Sequence, residues 1–136
     1  MLNNILIGCL LIIITSLIHT IITRIVFTIV QKKEHMQSPI RRIVHVDVVI
    51  LIIIMATLIE SAAWAATYIY VGSIQQFEEA LYFSLVTYST LGYGDVTLDG
   101  SHRLLSAFEA ANGVIMLGWS TAIVVAVIQK VYTKSK

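Results

Sequence analysis

The sequence predicts an all-α integral membrane protein with three transmembrane helices and one short re-entrant segment. Three observations carry this. Hydrophobic residues make up 57% of the 136-residue chain and charged residues only 12%, whereas a soluble domain has about 45–50% and about 25%. The mean hydropathy is +0.85, an excess that a soluble domain of this size cannot bury. The apolar residues also gather in three long runs separated by short polar stretches, with a fourth, shorter run before the last. The length suits one domain.

The first run, Ile5 to Val30, is long enough for a hydrocarbon core of about 30 Å at 1.5 Å per residue. It reads as a retained helix and not as a signal peptide. Met1-Leu2-Asn3-Asn4 carries no positive charge, and no small-x-small cleavage site follows. Cys9, the only cysteine, is expected to be a buried small residue. Residues 31–42 form a polar loop in which Lys32, Lys33, Arg41 and Arg42 flank Glu34 and which contains Pro39; such loops remain cytoplasmic. The second run, Ile43 to Val71, carries small residues at Ala62, Ala63, Ala65 and Ala66 and ends at Gly72-Ser73. Small residues let helix backbones approach where no water drives association.

Residues 75–89 are semi-apolar and too short to span, which suits a re-entrant helix. Ser73 is its expected cap, and Glu78 and Glu79 fall in or near its first turn, at the positive end of the dipole. The segment Thr87-Tyr88-Ser89-Thr90-Leu91-Gly92-Tyr93-Gly94-Asp95 follows. After a polar turn around Asp99-Gly100, the third long run covers Arg103 to Tyr132, with 133–136 as a cytoplasmic tail.

Basic residues set the orientation. Arg24, Lys32, Lys33, Arg41 and Arg42 surround the first loop, and Lys130, Lys134 and Lys136 mark the far end, while Arg103 falls opposite. The N-terminus is therefore expected outside and the C-terminus inside, with Glu78, Glu79, Asp95 and Asp99 on the outer face, where acidic residues concentrate cations.

Few jobs need two glycines alternating with bulky residues between two spanning helices. Gly92 and Gly94 tolerate positive φ, as successive carbonyls aimed the same way require. TxxTLGYGD resembles the selectivity filter of the potassium channel family with one pore loop per subunit, of small bacterial type. The resemblance covers residues 43–132. It implies a tetrameric pore: an outer helix (43–71), a pore helix and filter (75–95), and an inner helix (103–132). The ligands of K+ would be the backbone oxygens of Thr90, Leu91, Gly92 and Tyr93 and the Thr90 hydroxyl, with Gly94 closing the motif. Residues 1–30 are an addition, expected at the periphery. Three positions depart from the family pattern. Leu91 stands where many relatives have Val. Val86 stands where some bacterial channels have a Glu facing the motif's Asp, here Asp95. Tyr82 and Phe83 stand where some relatives have two tryptophans. With Thr87, these residues are the expected filter support. The departures bear on slow inactivation, not on ion preference.

Glu60 and Glu109 interrupt apolar runs, and a charged group at mid-membrane costs about 2.5–3.5 kcal/mol. Glu109 is expected behind the filter, hydrogen-bonded to the pore helix, or else to be a locally paired glutamate; the partner of Glu60 is not legible. His45-x-Asp47 reads as an interfacial polar pair, and Arg24 as a snorkelling side chain. Gly113 and Gly118 are candidate hinges, with close helix packing as the alternative. Ile123, Val124, Val127 and Ile128 are candidates for a hydrophobic inner gate.

The four histidines have no metal-ligand spacing, and no nucleophile–base arrangement points to an enzyme. The expected function is passive, potassium-selective conduction through a homotetramer in a bacterial inner membrane. No cofactor is expected beyond K+ as the transported ion. The expected partners are further copies of the chain and lipid, with no nucleic acid. A silent or regulatory subunit, or a membrane scaffold retaining the motif, are the alternatives.

Overall fold

The computed structural model describes residues 1–31 and 38–133. The charges at Lys32, Lys33, Glu34, Lys134 and Lys136 lie outside the described residues. Four helices are present among the described residues: α1 (Leu2–Gln31), α2 (Pro39–Tyr70), α3 (Phe77–Tyr88) and α4 (Arg103–Thr133). Three of them are long and apolar enough to cross a membrane. α3, with 12 residues, is about 18 Å long at 1.5 Å per residue and is not.

One stripe of α1 is buried: Asn4, Gly8, Leu11, Thr15, His19, Val26 and Val30. These residues recur at three-, four- and seven-residue steps and so share a face. The hydroxyls of Thr15, Thr20, Thr23 and Thr28 bond back to carbonyls one turn earlier, which satisfies them without water. α1 packs against both α2 and α4, and a Cβ at Gly8 would lie 2.8 Å from Phe108 Cγ. Cys9, expected buried, is exposed on the single chain, because it follows Gly8 round to the face turned away from the bundle.

α2 starts earlier than the sequence reading placed it. Pro39 is not a loop residue but sits at the first turn, where its missing N–H costs no hydrogen bond. The helix ends as expected at Gly72-Ser73. The Gly72 and Ser73 amides donate to Ile69 and Tyr68 carbonyls at 3.0 and 2.9 Å, a Schellman closure. Ser73 is thereby used to terminate α2. The residue capping α3 is Gln76, without a side-chain cap bond, so the expected Ser73 cap is corrected. Glu78 and Glu79 do occupy the first turn of α3.

α3 lies between α2 and α4. Two apolar clusters hold the bundle. Leu11, Trp64, Tyr68, Phe83, Tyr88, Leu98, Leu105 and Met116 form one; Val26, Val30, Val49, Ile53, Ile123 and Val127 form the other. The opposite face of α4, including Ala111, Val114, Ile115, Gly118, Ala122 and Val125, is left exposed.

Candidate functional site

The segment that follows α3 does not continue as helix. Ser89 caps α3 in ordinary right-handed geometry. Thr90, Gly92 and Gly94 then have φ of +63°, +55° and +78°, and Thr90 is the only non-glycine residue with positive φ among the described residues. The sign of φ therefore alternates from Thr90 to Gly94. The two glycines take this geometry without a Cβ clash. Thr90 does not, and a non-glycine residue held there is strained by about 1–3 kcal/mol.

The strain is held by the last turn of α3. The Leu91 and Gly92 amides both donate to the Val86 carbonyl, at 3.0 and 3.2 Å, and the Thr90 amide donates to Thr87 at 3.0 Å. Val86 thus contributes its backbone, while its side chain is buried. Thr87 is half-buried. At the far end of the loop, Tyr82 Oη donates to Asp95 Oδ2 at 2.6 Å, and the Val96 amide donates to Oδ1 at 3.0 Å. The Tyr82 bond holds the Asp95 carboxyl below the usual carboxylate range. Asp95 therefore has a hydroxyl partner in place of a second carboxyl. The neighbouring aromatic points elsewhere: Phe83 is buried edge-on against Tyr68, with ring centroids 5.1 Å apart. Tyr82 and Phe83 are split between the loop and the α2 interface.

Residues Thr90 to Asp95 are all exposed on the single chain, Leu91 at 59% and Tyr93 at 67%. Beside them a cavity of about 550 Å³ runs between α3, the loop and the start of α4, lined by Tyr82, Val86, Thr90, Gly92, Gly94 and Ala107 among others.

Glu109 is fully buried. Tyr68 Oη donates to its Oε2 at 2.5 Å, and the Ser84 hydroxyl of α3 is in hydrogen-bond contact with its Oε1. Ser84 Oγ also lies 2.7 Å from the Ser61 carbonyl oxygen. Ser84 thus bridges Glu109 and the α2 backbone. Glu109 thereby ties α4 to α2 and α3.

The sequence did not show the partner of Glu60. It is His19 of α1, with Nδ1 2.9 Å from Oε1, together with Tyr88, whose Oη donates to Oε2 at 2.5 Å. Asn112 Nδ2 also donates to Thr15 Oγ1 at 2.8 Å. The signal available was spacing: Asn4, Gly8, Leu11, Thr15 and His19 fall on one stripe, and small or polar residues on one stripe of an apolar helix mark a protein-facing side. His45 is buried and Asp47 exposed; two residues apart on a helix, they lie on different faces.

Gly113 packs against the C-terminus of α3. A Cβ there would lie 2.0 Å from the Tyr88 carbonyl oxygen, whereas Gly118 has no atom within 4 Å. Close approach therefore accounts for Gly113, and Gly118 is unconstrained within the chain. Ile123 and Val127 are buried against α1 and α2, so within one chain their side chains are already used for packing. Val124 is half-buried and Ile128 is exposed at 39%.

Three long apolar helices, with a short fourth helix leading into a loop of alternating backbone handedness, define an integral membrane protein. The family model described as ion channel matches residues 48–130. The chain belongs to that ion channel family, and passive ion conduction is the activity this membership supports. The match takes in most of α2, all of α3 and nearly all of α4, and leaves α1 outside. Comparison with curated proteins and with solved structures gives no match.

Proposed function

We propose that four copies of this chain form a potassium-selective channel with Thr90–Gly94 as its filter. The observation that carries the reading is the alternating φ from Thr90 to Gly94 in a loop whose large side chains are mostly exposed on their own subunit. Four such loops around an axis would stack the carbonyls of Thr90, Leu91, Gly92 and Tyr93 into rings. Carbonyl rings replace the water shell of K+. The side chains of Leu91 and Tyr93 would point away from the axis and find cover against neighbouring copies. Irregular backbone at membrane depth requires such enclosure, since each unpaired amide or carbonyl in hydrocarbon costs several kcal/mol. α3 would be the re-entrant pore helix. Its C-terminal end carries about half a negative elementary charge, which favours a cation below the filter. The exposed face of α4 would line the inner pore or meet neighbouring copies, with Ile128 and Val124 the remaining candidates for a constriction.

In this reading Arg24, Arg41, Arg42 and Lys130 face the cytoplasm, and Glu78, Glu79, Asp95 and Asp99 face outward. Glu109, through Ser84, braces α3 from behind.

The test is flux into liposomes holding only this protein, with potassium and sodium gradients compared and the oligomer's mass measured in parallel. A tetramer that passes potassium and rejects sodium is the expected result. Equal flux of both ions, or no flux from a folded tetramer, refutes a self-sufficient potassium channel; currents that change only on co-assembly with another channel identify a silent subunit.

A further inference from the structure

One buried chain of polar groups has no part in the conduction path just described. His19 and Glu60 face each other at 2.9 Å with 1% and 0% of their side chains exposed. Tyr88 Oη completes the chain on Glu60 Oε2. On the other ring nitrogen, His19 Nε2 lies 3.4 Å from Ser120 Oγ of α4, and the His19 ring packs on Trp119 with centroids 5.1 Å apart. The chain therefore joins α1, α2, α3 and α4.

Its end point matters most. Tyr88 is the last residue of α3 and stands two residues before Thr90. Its backbone carbonyl is the atom that Gly113 of α4 closes upon, and its hydroxyl is held by Glu60. Tyr88 is thus fixed at both ends, once by α4 and once by the carboxyl that α1 supports. Without His19, Glu60 Oε1 is a buried acceptor with no partner. An unsatisfied buried polar group is costly enough to drive rearrangement, and the carboxyl can turn only by releasing the Tyr88 hydroxyl.

We infer that His19 and Glu60 are positioning residues for the Thr90–Gly94 loop: α1, the helix outside the family match, sets the placement of Tyr88 through Glu60. The effect on ion selection rests on the potassium-channel reading; the effect on the loop's backbone does not.

The experiment compares the full-length protein in liposomes with His19→Leu, His19→Gln, Tyr88→Phe, the His19→Leu/Tyr88→Phe double variant, and Val26→Ala. Val26→Ala loosens the inner packing of α1 without touching the chain. Two quantities are read: hydrogen–deuterium exchange of the Leu91 and Gly92 amides, and the potassium-to-sodium permeability ratio. His19→Leu and Tyr88→Phe should each speed exchange at least roughly tenfold and lower the ratio by a similar factor, the scale of one lost buried bond. The double variant should be no worse than either single one, because both cut the same chain. His19→Gln, which keeps a donor for Glu60, should restore both readouts, and Val26→Ala should leave both unchanged.

Wild-type exchange in His19→Leu overturns the inference, as do additive effects in the double variant or an equal response to Val26→Ala. Tyr88→Phe removes a single oxygen and gives the same test if His19→Leu does not fold. A wild-type protein without selectivity would refute the potassium reading, and the exchange rates would still decide the coupling.

Discussion

Replacing Gly113 with alanine would set a methyl group against the carbonyl of Tyr88. The added carbon would lie 2.0 Å from the oxygen, 2.8 Å from the carbonyl carbon and 3.0 Å from Cα. Reaching an ordinary contact of 3.4 Å needs about 1.4 Å of displacement between α4 and the end of α3. The obstructing atoms are backbone, so no side-chain rotation relieves them. Overpacking by one methyl group costs about 1–3 kcal/mol where side chains can yield, and a backbone obstacle belongs at or above the top of that range. Helix propensity returns about 1 kcal/mol on Gly→Ala, leaving a net loss of at least about 2 kcal/mol. The assay is thermal unfolding of the purified protein in detergent, beside Gly118→Ala. Gly118→Ala meets nothing within 4 Å and should hold or gain stability within the chain, by up to about 1 kcal/mol. A glycine serving only as a hinge would give the opposite sign at 113, a stiffer and more stable helix. Gly113→Ala as stable as Gly118→Ala would refute the packing argument.

Glu109→Leu strands the Tyr68 hydroxyl, while Ser84 keeps the Ser61 carbonyl, and should cost about 1–3 kcal/mol, read by thermal unfolding, whereas Glu109→Gln keeps an acceptor and should cost clearly less. Ile123→Ala should lose about 2–5 kcal/mol because the side chain is buried; Ile128→Ala should stay within about 0.5 kcal/mol, so a gating role at Ile128 would show as altered ion leak without lost stability. The Tyr82 bond lowers Asp95 from its ordinary value of 3.8. Its contribution is therefore fully present above that value and disappears only as pH falls through the lower, folded value. Tyr82→Phe should raise the Asp95 titration toward 3.8, followed by carboxyl carbon NMR, with no change between about pH 5 and pH 8.

Much of the architecture was legible because membrane solvent leaves few options. Runs such as Val48 to Ile59 can only span or be buried, and Gly72-Ser73 ends α2 where expected. Gly92 and Gly94 announced the backbone reversals by lacking a Cβ. Their companion Thr90 was not readable as a strained residue, since positive φ there comes from the amides folded back on Val86. The acid at 109 advertised a buried partner by its cost in an apolar run, but its link to Ser84 and Tyr68 depends on how three helices are rotated. Pro39 and Ser73 depart from expectation for a shared reason: the local sequence suggests a loop proline and a helix cap, and each has another role at a helix end that backbone hydrogen bonding alone reveals.

By itself the sequence determined the solvent, the number of long helices, and the one loop whose glycines permit carbonyls to point together. These follow from transfer energies and from steric limits at single residues, which need no knowledge of neighbours. Only the tertiary structure decided that Ile123 and Val127 are packing residues, that Gly113 is a contact with Tyr88, and that His19 answers Glu60 across helices. Those outcomes depend on relative helix rotation, and in a helix apolar almost all round no periodicity in the sequence records which face meets which neighbour.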